Sequence, residues 1–73
     1  MRKPRIAMLA DRLTALLPEN GLSVSRRDAK ARLQYDDSTI TERDFDGAVA
    51  LAAARWQITR TFGGAAIARW REA

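Results

Sequence analysis

Arg26, Arg27, Lys30 and Arg32 stand close together in one stretch of the chain. On a helix, residues 26 and 30 lie one turn apart on the same side, and 27 and 30 are neighbours too. Such a face can clamp successive phosphates of a nucleic-acid backbone, and each neutralised phosphate steepens the salt dependence of binding. Two further basic groups flank it. Arg2, Lys3 and Arg5 begin the chain, and Arg60, Arg69 and Arg71 lie near its end. Between them runs an acidic segment, with Asp36, Asp37, Glu42, Asp44 and Asp46 against Arg43. The chemistry on offer is pairing with a polyanion, or with a basic partner at the acidic segment. Each charged group also has a plain structural reading as a solvated face.

Catalysis is not expected. The chain has no His and no Cys. That excludes Ser-His-Asp and Cys-His groups, a disulfide framework and a thiolate metal site. Asp36 and Asp37 are adjacent in a loop, with no geometry that favours acid–base work. Neither a cofactor nor a metal is expected. The net charge of +4 favours a polyanionic partner. No apolar run approaches the ~20 residues of a membrane span, so no membrane role is expected. Asp11 and Arg12 place charges soon after the basic start, against a signal peptide. A soluble, cytoplasmic protein is the default. Seventy-three residues make one domain, 1–73, with a small core and a stability of only a few kcal/mol.

The elements that must carry these charges can be read from apolar spacing. Residues 1–5 form a basic arm. Ile6, Leu9, Leu13, Leu16 and Leu17 predict a first helix that Pro18 stops, with a turn at Asn20-Gly21. Leu22-Ser23-Val24 alternates and suits a one-bridge strand against a hairpin edge. Ser25 caps a second helix, with Asp28 at the capping-box position and Ala29 and Leu33 facing inward, joined by Ala31 or Tyr35. Ile40 tucks in ahead of a Thr41 cap, with Asp44 as the acid of a second box. Phe45, Ala48, Val49 and Ala52 then make the buried stripe of a third helix over 41–55.

Residues 56–70 read as a hairpin around Gly63-Gly64. A two-residue loop would pair Ile58 with Arg69 and mix polar with apolar groups on each face. A three-residue loop pairs Ile58 with Trp70 and gathers Trp56, Ile58, Phe62, Ala66, Ala68 and Trp70 on one face. The second register is therefore expected, with both tryptophans packed on the helices and Arg60 snorkelling at the open end. A role for Trp56, Trp70 and Tyr35 as stacking platforms is the lesser alternative.

The order helix, short strand, helix, helix, strand, glycine turn, strand resembles the winged helix-turn-helix family. The resemblance spans Ile6 to Trp70. It rests on that order, on Leu22–Val24 in the place of the family's first strand, and on Gly63-Gly64 at the wing tip. It implies an α+β, mainly helical fold: a three-helix core with a C-terminal two-stranded β-hairpin wing. It also implies that the third helix enters the major groove. Here Glu42, Asp44 and Asp46 would meet phosphates with like charge, so Arg43 is the one early contact. These acids better suit the dipole at a helix N-terminus, which favours negative charge.

The expected function is duplex DNA binding by a small transcriptional regulator or a phage- or plasmid-type accessory factor. Arg2, Lys3, Arg5, Arg26, Arg27, Lys30, Arg43, Arg60 and Arg69 are its candidate contacts. The other expectation is a protein-interaction module on the same fold. It would dock or inhibit a nucleic-acid-handling partner through Asp36, Asp37, Asp44 and Asp46. The small side chains of Ala48 to Ala54 would also admit a second copy of the chain.

Overall fold

The computed structural model describes residues 4–71. Its elements are α1 (Arg5–Leu16), β1 (Val24–Ser25), α2 (Arg26–Asp36), α3 (Glu42–Ala54), β2 (Ile58–Thr61) and β3 (Ala66–Arg69). The fold is α+β and mainly helical. The sheet has three antiparallel strands in the order β1-β3-β2, so the hairpin is joined by a third strand and β3 is central. β1 is Val24–Ser25, later in the chain than the alternating tripeptide suggests.

The helices obey their sequence signals. Ala7, Leu9, Ala10 and Leu13 are buried along α1. Leu17 turns extended at ψ 146°, as the clash of a following proline ring demands. Ser25 Oγ accepts from Asp28 N at 3.0 Å to open α2. Thr41 and Asp44 close a full capping box at α3: Thr41 Oγ1 accepts from Asp44 N, and Asp44 Oδ2 accepts from Thr41 N, both at 3.1 Å. The shorter Asp thus serves where Glu is usual. All four residues of the α3 stripe, Phe45, Ala48, Val49 and Ala52, are buried, and so is Ile40. Ala29 and Leu33 are the buried residues of α2, whereas Ala31 and Tyr35 are exposed.

The hairpin departs from expectation in its register. Ile58 pairs with Arg69, Thr59 with Ala68, Arg60 with Ile67 and Thr61 with Ala66. This is the register that mixes polar and apolar groups. It closes through residues 62–65, where Phe62, Gly63 and Gly64 all have positive φ. Two facts remove the objection to it. Ala66, Ile67 and Ala68 of β3 are all buried, so strict alternation of buried and exposed residues does not apply to this strand. Arg69, placed beside Ile67 on the core side, finds polar partners there. Its Nε donates to Leu17 O at 2.8 Å and its Nη2 to Ala15 O at 3.0 Å. These carbonyls end α1, which has no cation in its own last turn. Arg69 therefore caps α1 from the sheet.

The tryptophans also depart from expectation. Trp56 is 67% and Trp70 43% exposed, so neither belongs to the core. Ile58 and Ile67 fill that role instead, against Leu13, Phe45 and their neighbours. Trp56 is diverted because it ends α3 rather than starting a strand. Trp56 N donates to Ala53 O at 3.1 Å and Gln57 N to Ala52 O at 2.9 Å. That pair of bonds is a Schellman cap, with Trp56 at φ 60° in the position where glycine is usual.

Candidate nucleic-acid interface

The acidic segment meets cations from two sides. From α2, Arg26 pairs with Glu42 at 3.0 Å and with Asp46, and Lys30 pairs with Glu42. The Arg26 guanidinium also lies 4.8 Å over the buried Phe45 ring, a cation–π contact. From α1, Arg5 Nη2 reaches Asp44 at 3.6 Å, Asp37 at 3.7 Å and Thr39 Oγ1 at 3.0 Å. Hydrogen bonds from Lys30 and Arg26 hold the Glu42 carboxyl below its ordinary range. Asp37 is likewise lowered, chiefly by hydrogen bonds from the Thr39 hydroxyl and amide, with Arg5 adding its charge.

These pairings sort the candidate contacts. Arg5, Arg26 and Lys30 have acidic partners inside the fold, and Arg69 caps a helix. Arg5 is the first residue of α1 rather than part of an arm. Arg2 and Lys3 lie outside the described residues. Arg27, Arg43 and Arg60 are exposed and make no hydrogen bond or ion pair among the described residues. Arg32, of the basic face expected in α2, shares that condition, and so do Arg12 and Arg55, which sequence does not single out as contacts. Arg12 and Arg55 each stand apart from other cations along the chain, so clustering gives no signal for them. Of the acids named as a docking patch, Asp37, Asp44 and Asp46 are engaged internally, and Asp36 remains exposed without a partner among the described residues. Arg71 Nη1 donates to Asn20 O, and its stem lies over Gly21.

The outward residues of α3 are Glu42, Arg43, Asp46, Ala50 and Ala54. Arg43 is the side chain of this row able to donate to a base edge. The hairpin tip exposes Phe62 at 79%, next to Gly63 and Gly64. An open groove of about 490 Å³ between α1 and α2 is lined by Arg12, Ala15, Leu16, Leu33 and Asp36. Among the described residues no group of three or more His, Cys, Asp or Glu is placed to hold a metal ion. No helix there is long and apolar enough to cross a membrane.

Comparison with protein-family models gives no match, and comparisons with curated proteins and with solved structures give none either.

Proposed function

We propose that this chain is a winged-helix protein that binds duplex DNA with little sequence preference, as a regulatory or accessory factor in the cytoplasm. The observation that carries this reading is the sign of the charge left over after internal pairing. The acids of residues 37–46 are engaged by Arg5, Arg26 and Lys30. The exposed charges with no hydrogen bond or ion pair among the described residues are Arg12, whose charge acts on Asp37, and Arg27, Arg32, Arg43, Arg55 and Arg60, against Glu19, Asp28 and Asp36. The same pairing counts against a docking face built on the acidic segment. The element order, with the sheet order β1-β3-β2, is in keeping with a winged helix. Arg27 at the start of α2, Arg43 at the start of α3 and Arg60 on the hairpin would contact phosphates, which position a protein without specifying sequence.

Anisotropy titrations of a labelled duplex at low and at moderate salt test the reading. Binding is expected at low salt, and log K should fall with log salt by about 0.9 per phosphate neutralised. Arg27→Glu, Arg43→Glu and Arg60→Glu together should abolish it, with the circular dichroism unchanged because none of the three has an internal partner among the described residues. No duplex binding at low salt overturns the proposal.

A further inference from the structure

Two Arg–Trp steps, Arg55-Trp56 and Trp70-Arg71, are far apart in sequence and meet in the fold. Trp70 N donates to Gln57 O at 3.0 Å, which sets the two steps side by side. The indole rings lie 4.9 Å apart at 68°, edge to face. In that contact the edge of one ring meets the face of the other, and Trp56 stays 67% and Trp70 43% exposed. Arg55 and Arg71 are exposed beside them. Arg55 has no partner among the described residues, and Arg71 gives one donor to Asn20 O, leaving most of its fork unused.

Folding does not call for this arrangement. The Schellman cap of α3 places Trp56 at φ 60°, a conformation in which glycine is at ease and a bulky residue is an outlier. The ring is not repaid by burial, since two thirds of it is in water. A strained backbone that holds an exposed aromatic pair, each ring next in sequence to an exposed arginine, is what a stacking site requires.

We propose that Trp56 and Trp70 form a stacking site for unpaired nucleobases of a single-stranded nucleic acid, with Arg55 and Arg71 on the flanking phosphates. Bases offer a π-face to each ring whatever their identity, and the phosphates complement the two guanidiniums. The site is separate from Arg27, Arg43 and Arg60, so it stands or falls independently of duplex binding.

The chain has two tryptophans, both at this site, so intrinsic fluorescence reports on it directly. The probes are an oligothymidylate and an oligouridylate of about 12 nucleotides and an abasic deoxyribose-phosphate oligomer of equal length. Both base-bearing strands should quench the emission; the stronger of the two identifies DNA or RNA as the source. The abasic strand should bind weakly and quench little. Trp56→Gly should fold, because glycine suits the cap, and should bind the preferred strand about tenfold more weakly, the loss of one stacked base. The same variant should leave duplex affinity within about twofold. Equal quenching by the abasic strand, or unchanged single-strand affinity in Trp56→Gly, overturns the proposal. So does emission that responds to protein concentration and not to oligonucleotide, which would mark the face as a contact between copies of the chain. Trp70→Phe, which keeps a ring, should bind more tightly than Trp70→Ala; equal losses would point to a structural role alone.

Discussion

Arg69 shows how one side chain settles a register. A guanidinium on the core side of a sheet is costly unless its donors are met. Here two carbonyls at the end of α1 meet them. Arg69→Met keeps the stem and removes the donors, and should destabilise the fold by about 1.5–3 kcal/mol in urea denaturation, the range for hydrogen bonds to a charged group. Gly21 is a second such residue. Its φ is +82°, and a Cβ there would lie 2.4 Å from Arg71 Cδ. Gly21→Ala should cost about 1–2 kcal/mol from the left-handed backbone alone, with more if Arg71 cannot swing aside. Trp56→Gly balances opposing effects. Relief of the left-handed Trp is worth about 1–2 kcal/mol. Glycine's extra unfolded-state entropy offsets about 0.5–1 kcal/mol, and the lost ring pair about 0.5–1.5 kcal/mol. The net change should lie within about 1.5 kcal/mol of zero in the same denaturation, well short of the usual cost of removing a large aromatic.

Among the elements, α2 is the one held least by apolar packing. It buries only Ala29 and Leu33, and the remaining hold is polar: Arg26 and Lys30 on α3, and Gln34 Nε2 donating to Ile40 O at 3.0 Å. Elements with few buried apolar contacts open first. Native-state hydrogen exchange should therefore show lower protection in α2 than in α1 and α3, and Glu42→Gln should lower it further in α2. The pairing also sets a pH dependence. The Glu42 carboxyl binds its proton more weakly in the folded chain than in the unfolded one, because Lys30 and Arg26 donate to its ionised form. Its contribution is complete above the ordinary value of 4.5 and is lost as pH falls through the lower folded value. The difference in urea midpoint between the native chain and Glu42→Gln should thus be present at neutral pH and shrink below about pH 4.5.

The whole molecule is a charge-sorting device. Its acidic segment, from the end of α2 into α3, is met by cations of α1 and α2, and these are drawn from the groups that otherwise look like DNA contacts. Charge reversal at Arg26 or Lys30 would break the α2–α3 contact and confuse unfolding with lost binding. Reversal at Arg27, Arg43 and Arg60 would not, and that choice of residues comes from the fold. Phosphate contact by those arginines would make any duplex affinity steeply salt-dependent.

Helix positions, caps and most of the core are local matters, and they are legible in the chain. Apolar residues at helical spacing mark Leu9, Leu13, Phe45, Ala48, Val49 and Ala52 as buried. Ser25 and Thr41 mark two helix starts, and Pro18 one helix stop. Each depends on residues within a turn or two of one another. The hairpin register, the exposure of Trp56 and Trp70, and the division of cations into paired and unpaired depend on residues distant in sequence. Arg69 becomes acceptable on the core side of the sheet only when α1 ends beside it, and Arg26 finds its acidic partners only when α3 brings up Glu42 and Asp46. Sequence spacing carries short-range sterics and periodicity; which distant charges and carbonyls meet is decided by how the three helices and the sheet pack.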